Sequence, residues 1–316
     1  MRRRVRRDRR RFGVLMRPTL LERAPAELAN GRDLWLKRED LHEIGSFKWR
    51  GALPVVSRLA RQRHAAVVTA STGNHGAAVS WACRTVGIDA IVFAPRGASA
   101  TKLALLTRLD ADIRLAGDDL DEAKESAHAF ARAENLPYFE DGAEPLQYQA
   151  YEAIGEELLA QAPTSPQVVV IPVGNGALAA GVGRAVGRAV PNAHRVGVVA
   201  KNMPVMADSF DANAVVAPRG SDTIADGLAV RVAIPLAVER LGGALDRIVR
   251  VSEHAIAAAL VRCLENGLRV EAAAAAPIAA LDQLDDRGLT IAITTGRNVD
   301  ERLLDRARND TDSFAK

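Results

Sequence analysis

The sequence predicts an α/β protein, on three features. Apolar strand-like runs alternate with helix-spaced stretches along the whole chain, as strands and their covering helices do. The run Gln167-Val168-Val169-Val170-Ile171-Pro172-Val173 is continuously apolar and β-branched, as a parallel strand covered on both faces requires. At 316 residues, rich in Ala, Val and Leu and only 4% aromatic, the chain is long enough to bury one large core or two smaller ones.

The elements follow in order. Pro18-Thr19-Leu20-Leu21 opens the body, and Leu34-Trp35-Leu36 begins a short strand that turns into the charged run Lys37-Arg38-Glu39-Asp40. Gly45-Ser46 breaks the pattern, after which Phe47, Ala52, Leu53 and Val56 recur at helical spacing, placing a helix start at Lys48. Residues 65–70 read as a buried strand, followed by a polar loop and a helix from Asn74 to Val86. A strand at Asp89–Ala94, ended by Pro95, a helix at about 100–109, a strand at Asp112–Leu115 and a helix at about 118–134 complete three βα units. Residues 56–145 are therefore expected to form a small parallel-sheet domain inserted into a larger one made of 17–55 and 146–316. The larger domain resumes with a helix at about 145–162 and the strand at 167–173. Gly174-Asn175-Gly176-Ala177-Leu178 turns that strand into a helix. Strands at 195–200 and 247–251, two Ala-rich helices and a last strand at Leu289–Thr294 follow, and the stretch after Asp310 is expected to fray.

Charge is unevenly placed. The formal net charge is +3, yet residues 1–11 carry eight Arg and one Asp, leaving the rest with 34 Lys and Arg against 38 Asp and Glu. Residues 1–16 are read as a disordered, like-charged tail, and the mildly acidic body gives no reason to expect nucleic acid. No apolar segment follows the tail as in a secretory signal, and no run of about 18 apolar residues suggests a membrane span. Cys83 and Cys263 are far apart in helical patterns, which fits free buried thiols in a reducing cytoplasm.

Chemistry concentrates in four places. Free N–H groups at a helix start favour nearby negative charge, which would favour the neutral, nucleophilic form of the Lys48 amine; the plain alternative is a surface lysine after a turn. Ligands of open α/β sheets gather at the carboxyl ends of strands, where three polar loops fall: Ser71-Thr72-Gly73-Asn74-His75-Gly76, Gly174-Asn175-Gly176-Ala177-Leu178 and Thr295-Gly296-Arg297-Asn298. The first can hold a carboxylate at its helix start or be an ordinary cap. The second offers small residues for a phosphate-binding backbone nest.

The string Lys37-Arg38-Glu39-Asp40 followed by Gly45-Ser46-Phe47-Lys48-Trp49-Arg50-Gly51-Ala52 resembles the cofactor-lysine segment of the fold-type II pyridoxal-phosphate enzymes. The likeness is greatest to the threonine/serine dehydratase and serine racemase branch, whose pattern includes the Arg-Gly-Ala. It spans roughly residues 18–299, with five matched segments in the family's order. It implies two parallel-sheet α/β domains of the tryptophan-synthase-beta-like kind, with the active site in the cleft between them and pyridoxal 5'-phosphate as cofactor. Lys48 is then the residue that carries the cofactor and Phe47 the neighbour packed by its ring. Asn74 is implied to bond the phenolic oxygen, and residues 174–178 (Gly174, Asn175, Gly176, Ala177, Leu178) to hold the phosphate. Ser71, Thr72, Gly73 and His75 belong to the loop for the substrate carboxylate, His75 shaping it rather than catalysing. Thr72 stands where the racemase branch has a serine acting as second acid/base, which makes it a catalytic candidate beside Lys48. Thr295 matches the residue facing the pyridine nitrogen. A hydroxyl there supplies no negative charge, and the weaker electron sink suits elimination.

Glu271 matches a family glutamate near the ring, and Asp226 lies in a turn read as structural. Arg297 replaces a usual glycine and points either to substrate or to solvent. Val199-Ala200 replaces the Glu-Pro that begins a divalent-metal loop in many relatives, so no metal is expected. Ala150-Tyr151-Glu152-Ala153 replaces a usual Gly-Gln-Gly-Thr. The resemblance implies a lyase that converts a β-hydroxy amino acid such as serine or threonine to a 2-oxo acid and ammonia, in a cytoplasmic homodimer. A racemase or β-replacement synthase of the same family is the first alternative, and a catalytically silent ligand-binding relative the second. No length remains for a regulatory C-terminal domain, so feedback by an amino acid is not expected.

Overall fold

Val168–Pro172 (β6) shows why the chain folds in layers: its residues are all buried and divide by parity between two cores. Val168 and Val170 face the helices Glu253–Glu265 and Ala272–Ala279, while Val169 and Ile171 face the helices Pro145–Gln161 and Ala177–Ala189. A period of two with apolar residues at every position is what a strand covered on both faces needs.

The computed structural model of the chain describes residues 17–218 and 220–315. The basic tail at 1–16 lies outside them. Six strands form one sheet in the order β1-β2-β9-β6-β7-β8: Leu21–Arg23 (β1), Asp33–Arg38 (β2), Leu289–Thr294 (β9), β6, His194–Ala200 (β7) and Arg247–Val251 (β8). All neighbours are parallel except β1 and β2, where Leu21 opposes Lys37. That edge strand was not anticipated, because Leu-Glu-Arg is too short to show a period. The second sheet, β3-β4-β5, is parallel and built from Ala66–Ala70, Asp89–Ala94 and Asp112–Leu115. Val67 and Val92 pack on one side of it with the helices Trp49–Arg61 and Asn74–Val86. Val68, Ile91 and Phe93 pack on the other with Ala127 and Ala131 of the helix Leu120–Ala133. The α/β class with parallel sheets is thus observed. The helix Trp49–Arg61 runs through residue 55 without a break.

One expectation changes. The C-terminal stretch does not fray: Thr311–Phe314 is a short 3-10 turn whose Phe314 is buried in the large core, under the Arg306 guanidinium. The charged run that ends β2 is buried at Lys37, Glu39 and Asp40. Both cysteines are free and buried, and burial pushes their thiols up to about 12. Among the described residues no helix is long and apolar enough to cross a membrane.

Candidate active site

The three polar loops do follow the strands β3, β6 and β9; the third is bonded to Phe47 beside Lys48 and to Asn74 of the first, and the second lies against Gly142. Lys48 lies at the entrance of the helix Trp49–Arg61, in helical backbone geometry but just before the first helical residue. What meets its amine is a carboxylate rather than helix-start N–H groups. Lys48 Nζ donates to Asp141 Oδ2, and the ammonium also sits over the Phe47 ring, 5.0 Å from its centroid. Asp141 is the residue sequence reading missed. Glu140-Asp141-Gly142 reads as an ordinary turn, and no pattern joins it to a lysine 93 residues away.

Asp141 is itself held. Its Oδ1 accepts from Gln147 Nε2 at 3.1 Å and lies 3.5 Å from His75 Nδ1. Burial alone would push its carboxyl up, but Lys48 and His75 beside it outweigh that and hold it well below the usual carboxylate range. His75 is buried, which holds its imidazole below the ordinary value, and its Nε2 is 3.2 Å from Phe139 O. That position suits shaping the loop.

The helix Asn74–Val86 begins at the predicted residue, preceded by Gly73 in extended backbone. Ser71 and Thr72 are half-buried in the loop, and Ser71 Oγ accepts from Gly73 N at 3.2 Å. Asn74 is the junction of two loops. Its Nδ2 donates to both oxygens of Glu271 at 3.0 and 2.9 Å, and its Oδ1 accepts from Asn298 Nδ2 at 2.7 Å. Asn298 also donates to Ile44 O at 2.8 Å. Glu271 precedes the helix Ala272–Ala279, and burial pushes its carboxyl up to about 7, with Asp226 adding to the rise.

Thr295 is fixed through its backbone, since its carbonyl accepts from Phe47 N at 3.0 Å. Ser46 and Gly296 form a β-bridge beside it. Arg297 turns away, donating to His42 O at 3.4 Å, so the sequence alternatives resolve toward the His42 loop. In the second loop Gly176 adopts φ +91 just before the helix Ala177–Ala189, and Asn175 Oδ1 accepts from Ala177 N at 3.1 Å. A Cβ on Gly142 would lie 2.8 Å from the Asn175 side chain, so the Asp141 turn and this loop are in contact. Ala177 and Leu178 are buried in the first turn of the helix. Asp226 opens a short 3-10 turn and acts on the Glu271 carboxyl.

These groups fit the cofactor the resemblance implies. The Thr295 hydroxyl is buried with no hydrogen-bond partner, which suits a donor awaiting a ring nitrogen. A left-handed glycine leading into a 13-residue helix presents backbone N–H groups, as a phosphate site needs. An amine, a carboxamide and an aromatic face complete the surroundings. Among the described residues no group of three or more His, Cys, Asp or Glu could hold a metal ion.

Comparison with known proteins agrees. The family model described as "pyridoxal-phosphate dependent enzyme" matches residues 14–295. An L-threonine ammonia-lyase of Thermotoga maritima is 34% identical over 300 residues, covering 94% of this chain and 75% of the relative. A catabolic L-threonine dehydratase of Escherichia coli is 31% identical over 275 residues, covering 85% and 83%. Among solved structures, the processed form of threonine deaminase isoform 2 from Solanum lycopersicum superposes with a TM-score of 0.85 at 28% identity, covering 92% and 87%. Maize serine racemase superposes with a TM-score of 0.85 at 24% identity, covering 98% and 97%, a likeness of fold.

Proposed function

Because the chain belongs to the pyridoxal-phosphate-dependent enzymes, we propose that it is a dehydratase (ammonia-lyase) of β-hydroxy amino acids such as serine and threonine. The observation that supports the reading is the unpartnered buried hydroxyl at Thr295, whose backbone is bonded to Phe47 beside Lys48 and whose loop is bonded to Asn74. Bound to Lys48, the cofactor supplies the electron sink that makes the substrate's Cα–H acidic. The Ser71-Thr72-Gly73 loop and the start of the helix at Asn74 orient the substrate carboxylate, with His75 underneath holding the loop. Lys48 would hold the cofactor and, with its amine free, would take the substrate's Cα proton. The β-hydroxyl would leave as water with the proton that Lys48 took up, and the resulting enamine would take up water to give a 2-oxo acid and ammonia. Asn74 and Thr295 stay in place as neutral hydrogen-bonding groups, and residues 174–178 hold the phosphate.

A hydroxyl rather than a carboxylate at Thr295 favours elimination, and so do relatives named for threonine breakdown. The racemase reading keeps one specific support, the Thr72 hydroxyl in the position of a second acid/base. The reading carries with it two units, 17–55 with 146–316 and 56–145, a homodimer and a cytoplasmic setting, the last in keeping with two free buried thiols.

The test is direct. Purified protein is scanned for absorbance of bound cofactor and incubated with serine, threonine, 3-hydroxyaspartate and bulkier β-hydroxy amino acids. Both 2-oxo acid and D-amino acid are quantified. The dehydratase reading expects oxo acid in excess, with turnover falling by roughly 10²–10⁴-fold or more in Lys48→Ala. D-amino acid as the main product would replace it with the racemase reading, and undiminished turnover by Lys48→Ala would remove the mechanism.

A further inference from the structure

Asp141 touches the amine on which the proposed chemistry turns, yet it belongs to none of the loops that the sequence pattern marks. Its carboxylate is held independently of that amine. Gln147, which donates to Oδ1 at 3.1 Å, is buried and accepts from Gly142 N at 2.8 Å. Tyr148, also buried, donates its hydroxyl to Gly142 O at 2.7 Å. The carboxylate is therefore built into the turn between Tyr138, which bridges Val68 of β3, and the helix Pro145–Gln161.

Other titratable groups face the pair from each packed element. His75 approaches from the helix Asn74–Val86 and is kept neutral by burial. Glu140 lies on the same turn as Asp141 and acts on His75. Tyr148 and Tyr151 lie on the next helix, and burial raises both phenols far above the range in which they would ionise near neutral pH. Glu271 faces Lys48 from the other side and titrates at about 7. Of these groups, the one in direct hydrogen-bond contact with Asp141 Oδ2 is the Lys48 amine, while His75 Nδ1 lies 3.5 Å from Oδ1.

We infer that Asp141 is a positioning residue, the fixed counter-ion that receives the Lys48 amine whenever the amine is free of the cofactor. The inference rests on the reading of Lys48 given above. A carboxylate in contact favours the charged amine, and removing an opposite charge at this range shifts a titration by about one to three units. In turnover, the proton that Lys48 takes from Cα gives an ammonium at a place already built to stabilise it.

The test uses the full chain stripped of cofactor, so that its outcome does not depend on turnover. Lys48 is acetylated with limiting acetic anhydride across a pH series, and its modification is followed by peptide mass spectrometry against exposed Lys201 as internal reference. The expected result is a Lys48 labelling midpoint lower by about one unit or more in Asp141→Asn than in wild type. Asp141→Glu should restore it, and Lys201 should not move. Should Asp141→Asn fail to fold, Asp141→Ser carries the same comparison with a smaller uncharged side chain. In the loaded enzyme the acid limb of the kcat/KM profile should move in the same direction. A Lys48 midpoint equal in wild type and in the uncharged variant overturns the inference. A shifted midpoint in a protein that forms no 2-oxo acid upholds the counter-ion while removing the dehydratase reading.

Discussion

Glu271 meets Asn74 with both carboxylate oxygens and titrates at about 7, against an ordinary value of 4.5. A carboxyl raised in the folded state contributes stability below the unfolded value, and that contribution is lost as pH rises through the folded one. Glu271→Gln should therefore match wild type more closely at pH 5 than at pH 8, where the uncharged amide should be the more stable. Calorimetric Tm values at the two pH values check this, and an unchanged gap would count against it. Asn74 was legible from the Ser-Thr-Gly-Asn-His string, and Lys48 from Gly-Ser-Phe-Lys. Glu271 was placed by resemblance, but its raised carboxyl was not legible, because the burial and the neighbouring Asp226 come from separate stretches of chain. Asp141 was invisible for the same reason: its importance lies in what folding puts beside it.

At the scale of elements, the turn from β6 into the helix Ala177–Ala189 depends on one backbone conformation. Gly176 sits at φ +91, where a side chain costs about 1–2 kcal/mol. A Cβ there would also lie 3.1 Å from Leu241 and Met206. Gly176→Ala is expected to lower Tm by a few degrees and to weaken cofactor binding, read by titrating absorbance with added pyridoxal phosphate. A variant that binds as tightly as wild type would show that the nest does not need this geometry. The end of β6 was legible because a continuous apolar run stops sharply at Gly174, and that of β9 because the Leu-Thr-Ile-Ala-Ile stretch gives way to Thr294-Thr295-Gly296. Helices such as Val205–Asp211 and Pro235–Leu241 were not, since seven residues span two turns and carry too little periodicity. The C-terminal 3-10 turn was misread because its one anchor, Phe314, stands alone in a polar sequence.

Across the whole molecule, a buried ionic network ties distant segments together. Arg50 donates to Glu39 at 2.7 and 2.9 Å and to Glu157 at 2.7 Å through both terminal nitrogens. Lys37, 0% exposed, donates to Glu157 and to Thr19 O, each at 2.8 Å. The opening segment, the end of β2, the Lys48 helix and the helix Pro145–Gln161 all meet here. Arg50→Leu leaves two carboxylates without their main partner, and breaking a buried pair in this way costs about 3–5 kcal/mol. Denaturant unfolding measures it, and a loss below about 1 kcal/mol would show the pairs to be weak. Burial pushes Glu157 up, but Arg50 and Lys37 hold it below its ordinary 4.5. Its contribution is present above that value and lost as pH falls below it, so the variant's deficit should shrink in acid. The Arg-Gly-Ala pattern was legible, whereas a Lys-Arg-Glu-Asp run gives no sign by itself that it will be buried.

The position of that clamp has a consequence for how the cleft can breathe. Arg50 stands two residues past Lys48 and is bolted to Glu157, so the nucleophile is referenced to the frame of the six-stranded sheet. Asn74 rides with the three-stranded sheet and reaches across to Glu271 and Asn298. The Arg50 helix also packs on the three-stranded sheet through Leu53 and Val56, so the amine stands where both sheets grip one helix, and neither can shift without carrying it along.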